Sequence, residues 1–213
     1  MNFKIICFDC DSTLSRIEGI DECAKAVNLG LEMAKLTNAA MNGELPLEDI
    51  YQKRLDLIKP NQAAIKSLAD LYISEMVDGV EEVFKTLHEQ GKQIHIISGG
   101  LRQAILPLAA HLNVSEDHVH AVDVSFHEDG RYQTFNQQSP LARTGGKAEI
   151  CQQINADPEN MVLIGDGKTD LEAQHVGVKV IGFGGVMRRE IVEQQADFYV
   201  TDKNITAILK FIS

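Results

Sequence analysis

Close to the N-terminus an apolar run, Ile5-Ile6-Cys7-Phe8, ends on Asp9-Cys10-Asp11 and then on the hydroxyl pair Ser12-Thr13. A near-continuous apolar run is the pattern of a parallel strand buried on both faces, so Lys4 to Phe8 predicts a central strand with Asp9 at its carboxyl end. Ligands of open α/β sheets bind outside such ends. Carboxylates buried there are costly unless a cation or hydrogen-bond donors compensate, so Asp9 and Asp11 imply a metal ion, a shared proton, or both. A strand end followed by an Asx or Ser/Thr turn has the same local pattern, so the rest of the chain must decide.

Three other predicted strand or helix ends carry groups suited to phosphate. The strand Gln93 to Ile97 leads into Ser98-Gly99-Gly100, where a hydroxyl and glycine N–H groups can approach an anion at the start of the next helix. Gly145-Gly146-Lys147 opens a helix and can deliver one ammonium to the same phosphate. The strand Met161 to Ile164 runs into Gly165-Asp166-Gly167-Lys168-Thr169-Asp170, a second pair of strand-end carboxylates between glycines. Asp9 and Asp166 then offer hard oxygens to a Mg²⁺ ion, with Asp170 behind them as an orienting group.

The segments between these points alternate in period. Beyond Leu14 the apolar spacing is helical near 19–28, 30–42, 47–58 and 61–74, interrupted by Gly30, Gly43, Pro46 and Pro60. This predicts a helical-bundle cap at 15–76 inserted into a core formed by 1–14 and 77–213. In the core the pattern predicts helices at 79–90, 101–112, 146–155, 169–175, 187–195 and 203–212. Strands Lys179 to Gly182 and Phe198 to Val200 join those above. Residues 119–126 and 131–135 flank Glu128-Asp129-Gly130 and read as a β-hairpin attached to the sheet. The fold class is α/β: a Rossmann-like, doubly wound, mostly parallel sheet with the inserted cap and the hairpin.

Composition narrows the partners. A formal charge of −11, with pI near 5.0 and no long basic run, argues against nucleic acid and anionic membranes, while leaving room for a small anionic substrate in a locally cationic pocket. No apolar stretch approaches the ~18 residues of a membrane span, and Met-Asn-Phe-Lys leads directly into a strand, so a cytoplasmic protein is expected. Either a monomer or a homodimer is compatible with this composition. Cys7 and Cys10 spell CxxC, but residues three apart on a strand point to opposite faces, so reduced and mostly buried thiols are expected at 7, 10, 23 and 151. Cys10, between the two carboxylates, is the candidate for oxidation. His118 and His120 share a predicted strand face but lack a third ligand at zinc spacing, so exposed structural histidines are expected there and a satisfied core residue at His95.

In this order, FDCDST, IISGG, a lysine at a helix start and GDGKTD resemble the haloacid dehalogenase-like phosphatases, and the resemblance spans nearly the whole chain. The runs DSTLSRIEGIDE, AMNGELPLEDIYQKRLDLIKP, SGG, GDGKTDLEA and IGFGG resemble the branch that acts on O-phospho-L-serine, with the insert in the same place. The resemblance implies Asp9 as nucleophile and side-chain metal ligand, Asp11 as acid/base and metal ligand through its carbonyl, Asp166 as third ligand, and Mg²⁺ as cofactor. It further implies that Ser98, Gly99, Gly100 and Lys147 hold the phosphate, with Gly43 and Thr169 close by. Glu18 and Arg54 would grip the ammonium and carboxylate of serine, Met41 would cover the pocket, and Arg189 would be an additional contact. Cys10, Thr169 and Leu47 depart from the common pattern, Leu47 standing where some relatives have an aromatic residue. Two rivals remain: a phosphatase or phosphotransferase of the same fold acting on phosphohomoserine or a sugar phosphate, and a non-catalytic metal-binding or phosphoacceptor module.

Overall fold

The computed structural model describes residues 3–154 and 157–212. Strand β1 (Ile5–Phe8) is buried at all four positions, as its unbroken apolar run requires. It pairs in parallel with β2 (Gln93–Leu101) on one side and β6 (Met161–Gly165) on the other. With β3 (Val119–Val122), β7 (Lys179–Phe183) and β8 (Phe198–Val200), the sheet runs β3-β2-β1-β6-β7-β8 and is parallel throughout. The chain winds from β1 to one edge and then from β6 to the other, so the order reverses between these two strands. Their carboxyl ends border the crevice where an open α/β sheet takes its ligand. The amide of Asp9 extends the pairing one residue further by donating to Ile164 at 2.8 Å.

Four helices lie between β1 and the first helix that packs on the sheet: α1 (Gly19–Lys25), α2 (Gly30–Met41), α3 (Leu47–Ile58) and α4 (Gln62–Ser74). The buried face of α3 (Leu47, Ile50, Tyr51, Arg54, Leu55, Ile58) follows the i, i+3, i+4, i+7 spacing, and its only buried charge is Arg54. Pro46 opens this helix, and Lys59, at φ 46°, ends it. Asn61 caps α4 through a 2.8 Å bond from the Ala64 amide, a contact worth about 1 kcal/mol. The chain enters and leaves these helices side by side: Val77 N–H donates to Leu14 and Arg16 N–H to Glu75. On the sheet, α5 (Val80–Glu89) buries Val80, Val83, Phe84 and Leu87, and Phe84 meets Phe8 with ring centroids 4.9 Å apart.

Several boundaries differ from those the sequence predicts. The segment 119–126 is two strands: β3 belongs to the main sheet, whereas β4 (Val124–Phe126) pairs antiparallel with β5 (Tyr132–Phe135) in a sheet of their own. The two strands part at Asp123, where β3 ends on the main sheet and β4 turns away to pair with β5. The Ser98-Gly99-Gly100 stretch is part of β2, with a register shift against β3, and α6 (Arg102–His111) starts only after it. Helix α1 stops at Lys25, and α7 (Gly146–Ile154) is followed by predicted helix residue Asn155, which lies outside the described residues, as do Met1 and Asn2. The predicted helix 169–175 is α8 (Lys168–Leu171) plus a 3₁₀ turn, Glu172–Val176, stopped by Gly177 at φ 85°. Helix α9 (Glu190–Gln195) starts later than expected, and α10 (Leu209–Ile212) follows a 3₁₀ turn, Ile205–Ile208.

His118 lies in a 3₁₀ turn, Glu116–His118, rather than on a strand, and neither it nor His120 is exposed. Both stack on buried His95, with centroids 4.1 Å and 5.3 Å away. His95 Nδ1 lies 3.1 Å from His120 Nε2, His95 Nε2 lies 2.9 Å from the Gln93 amide nitrogen, and His118 Nδ1 lies 3.0 Å from the Ile94 carbonyl. Burial, and then the other two imidazoles, pull His95 down to about 3. A depressed base is neutral in the folded state, so its contribution to stability is complete above the unfolded value of about 6.5 and is lost as pH falls toward 3. We expect the stability difference between wild type and His95→Gln in urea unfolding to shrink steadily from pH 7 to pH 4. A difference that is flat or grows over that range would contradict the neutral cluster.

Candidate active site

The ends of β1, β2 and β6 and the first turn of α7 meet at the switch point. Lys147, in that first turn, is buried and bridges two carboxylates: its Nζ lies 2.9 Å from Asp9 Oδ1 and 2.6 Å from Asp170 Oδ1. Its helix starts flush against the turn Pro140–Ala142, where a side chain at Gly146 would overlap the Pro140 carbonyl. Glu172 fixes the approach by accepting from the Gly145 amide at 2.8 Å. Asp170 reaches back from α8, its Oδ2 accepting from the Gly167 amide at 2.9 Å, and Gly165 leaves room where any Cβ would overlap the Asp170 carboxylate. Asp9 Oδ1 also accepts from the Cys10 amide at 2.8 Å. Arg189, buried in the segment before α9, donates through Nε to Asp166 Oδ2 at 3.1 Å and through Nη1 to Asn38 of α2 and to Asn42 just beyond it.

Ligand oxygens of Asp9, Asp166 and Asp170 lie within 4.8 Å of one another. Among the described residues the cations beside these three buried carboxylates are the Lys147 ammonium and the Arg189 guanidinium, and burial holds Asp9 well above its ordinary value despite Lys147 and Asp166 at about 7 despite Arg189. Burial opposes charge on Lys147 too, but Asp170 and Asp9 outweigh it and hold the ammonium protonated. The surplus of negative oxygen in a dry site fits a hard divalent cation. Asp11 does not place its carboxylate in this cluster. Its Oδ1 accepts from the Gly19 amide at 2.8 Å and from the Tyr72 hydroxyl of α4 at 2.7 Å.

The opposite wall of the same cavity, about 690 Å³ with the solvent at its mouth included, comes from α1, α2 and α3 and the segment before them. Glu18, Thr37, Met41, Leu47, Tyr51 and Arg54 face Asp9, Asp11, Gly99, Gly100, Lys147, Asp166 and Thr169 across it. Glu18 accepts from Ser12 Oγ at 2.7 Å, and burial, followed by Asp11 and Asp166, pushes its carboxyl well up. Arg54 is buried, with Nη1 on Thr37 Oγ1 at 3.1 Å and Thr37 in turn on Asp21 at 2.7 Å. Its Nε has no partner among the described residues. Met41 lies over Thr169, with Sδ 3.9 Å from the hydroxyl.

Three predicted substrate residues do not line the cavity. Ser98 is fully buried behind the wall and accepts from the Gly100 amide at 3.0 Å; Gly43, at φ 77°, backs onto the Lys168 side chain; Arg189 touches Asp166 instead. Tyr51, Tyr72, Thr37 and Glu172 escape the sequence reading because each sits on a helix face that reads as core or solvated surface; Tyr51 bonds to the Gly99 carbonyl at 2.8 Å, and its i, i+3 spacing to Arg54 was the available signal. All four cysteines are free and buried, and burial pushes the Cys10 thiol well up, which works against the thiolate that oxidation needs.

A family model described as haloacid dehalogenase-like hydrolase matches residues 3–174. Phosphoserine phosphatase of Drosophila melanogaster is 38% identical over 202 residues, 93% of this chain and 75% of that protein. Among solved structures, a phosphoserine phosphohydrolase-like protein from Francisella tularensis subsp. tularensis SCHU S4 superposes with a TM-score of 0.89 at 26% identity, covering both chains completely. A phospho-aspartyl intermediate analogue of phosphoserine phosphatase superposes at 0.87 with 28% identity, again over both full chains.

The carboxylate surplus sets a measurable pH dependence. A carboxyl raised in the folded state favours folding fully below its unfolded value of about 3.9 and withdraws that support as pH rises, here through about 7 for Asp166. A divalent cation replaces the lost protons. We expect 5 mM Mg²⁺, on the order of a saturating concentration, to raise the thermal midpoint more at pH 8 than at pH 5.5. A calorimetric gain that is equal at both, or larger in acid, would refute the cation site.

Proposed function

The chain belongs to the haloacid dehalogenase-like hydrolases, and we propose that it hydrolyses O-phospho-L-serine to L-serine and phosphate through an aspartyl-phosphate on Asp9, with Mg²⁺ as cofactor. The observation that carries this reading is the pairing of opposite charges in one cavity, lined by Lys147 and the carboxylate cluster and also by Glu18 and Arg54. An amino-acid phosphate ester presents a phosphate, an ammonium and a carboxylate in that arrangement. The relatives named for this substrate, and the phospho-aspartyl analogue of the same fold, support it.

The side chains of Asp9 and Asp166 and the backbone carbonyl of Asp11 would hold Mg²⁺, with Asp170 orienting the set. When bound, the ion offsets the repulsion between a carboxylate and a phosphate dianion. Asp9 attacks phosphorus while Lys147 neutralises a phosphate oxygen and the Gly99 and Gly100 region bounds the group. The seryl alkoxide is a poor leaving group, so Asp11 gives it a proton as the P–O bond breaks. Asp11 then takes a proton from the water that cleaves the aspartyl-phosphate and regenerates Asp9. Arg54, whose buried Nε has no partner among the described residues, offers the substrate carboxylate a planar fork, and the ammonium would join Arg189 Nη2, 3.9 Å away, as countercharge to Glu18.

We assign residues 15–76 as a cap, with 1–14 and 77–213 as the core and with hinges near 14–18 and 74–79. The crossing hydrogen bonds at these segments support that division, as do the ties from Glu48 to Thr144 and from Asn38 and Asn42 to Arg189. A cap that opens and closes admits substrate and excludes bulk water. A cytoplasmic location, a small-molecule substrate and a role in the last step of serine biosynthesis complete the proposal. The described residues contain no helix long and apolar enough to cross a membrane.

Phosphate release from a panel of phosphorylated amino acids and sugars tests the assignment. With Mg²⁺, O-phospho-L-serine is expected to be turned over best and Asp9→Asn to lose about a thousandfold or more. Arg54→Lys is expected to lower kcat/KM for this substrate by about 10- to 100-fold while keeping the charge. Preference for a sugar phosphate, or an Arg54→Lys variant with unchanged kcat/KM, would overturn the amino-acid grip.

A further inference from the structure

Asp11 presents its two oxygens to different neighbours. Oδ1 accepts from the Gly19 amide at 2.8 Å and from the Tyr72 hydroxyl at 2.7 Å. Oδ2 points the other way, toward the end of β2, where a Cβ built on Gly100 would lie 3.1 Å from it, and Gly100 lines the cavity. Tyr72 is completely buried and is not part of the cavity wall. Its hydroxyl sits where any side chain on Gly19 would overlap it, so the helix α1 terminus and the tyrosine are fitted to one another around a single carboxylate oxygen.

An oxygen that already accepts two hydrogen bonds is a poor place for a proton, because an O–H there would confront two donors. The proton of a neutral Asp11 therefore belongs on Oδ2, the oxygen facing the cavity. We propose that Tyr72 is a positioning residue for catalysis: it reserves Oδ1 as an acceptor and so keeps the proton-carrying oxygen of Asp11 aimed at the leaving group. In the first half-reaction the Asp9 oxygen–phosphorus bond forms, the phosphorus–ester oxygen bond breaks, and the Oδ2 proton passes to the departing alkoxide. In the second, water adds to phosphorus, the Asp9–phosphorus bond breaks, and Oδ2 takes the water proton. Tyr72 neither gains nor loses a proton in either step. It comes from α4, the last of the inserted helices, so the aim of the acid depends on where that helix sits. The inference rests on the acid role of Asp11 in the reading above.

Esters that differ in leaving group separate positioning from mere structural support. A serine alkoxide needs the proton, whereas p-nitrophenolate departs without it, and kcat/KM reports the half-reaction in which either leaves. For Tyr72→Phe, which keeps the ring and removes only the hydroxyl, kcat/KM for O-phospho-L-serine is expected to fall about 10-fold or more with KM within about twofold. For p-nitrophenyl phosphate it should stay within about twofold of wild type. An equal loss on both esters, or no loss on either, overturns the proposal. Asp11→Asn serves as the reference: it should lose far more on the alkyl ester than on the aryl ester, and an equal loss there would instead remove the acid role itself. If wild type proves inert toward O-phospho-L-serine, the substrate assignment fails alone, and the same comparison with an aliphatic phosphate monoester it does hydrolyse decides the role of Tyr72.

Discussion

The ion pair of Lys147 with Asp9 and Asp170 is the constraint on which the rest of the centre depends. It ties the first turn of α7 to the end of β1 and to α8, in a region where all three side chains are buried. A buried ammonium between two carboxylates is tolerable only because the charges compensate and further donors assist, the Cys10 amide on the same Oδ1 of Asp9 and the Gly167 amide on Oδ2 of Asp170. Arg189 performs the corresponding task for Asp166. Compensation stops short of neutrality, and a site left with surplus buried carboxylate is primed for a cation. The same imbalance costs stability at neutral pH, the expected trade between a working centre and a relaxed one.

The sheet topology explains why these groups meet. Reversal of strand order between β1 and β6 opens the crevice at which Asp9 and Asp166 project, and the glycines at 165 and 146 let the following segments fold back without a side chain in the way. The inserted helices close this crevice from above and bring Arg54 to it, and the segment before them brings Glu18. Tyr72 also reaches down from them onto Asp11, so groups on both sides of the cavity act on the same carboxylate.

Much of this was legible in the sequence, for identifiable reasons. Strands buried on both faces announce themselves as unbroken apolar runs, and β1, β6 and β7 lie within a residue or so of where those runs place them. Helices α2, α3 and α4 were bounded by glycines, prolines and an asparagine cap. The segment 119–126 was misjudged because two short strands of different sheets share one apolar pattern, and periodicity carries no information about direction of pairing. His95 is the satisfied core residue expected, but the exposure expected of His118 and His120 failed for a similar reason: a stack of rings from a turn and two strands has no local signature. Of the groups expected to touch phosphate, Ser98 and Gly43 lie outside the cavity wall, a matter of side-chain rotation and backing contacts that spacing does not encode.

By itself the sequence determined that this chain builds a parallel α/β sheet with carboxylates at its strand ends and a helical insertion, because those features follow from the period of apolar residues and from where it breaks. Only the tertiary structure decided which charges compensate one another, that Asp11 turns one oxygen to Tyr72 and the other to the cavity, and that Arg54 is buried beside Thr37 with a free Nε. Those outcomes depend on distances of a few ångströms between segments far apart in the chain, and local pattern constrains which segments exist but not how closely they approach.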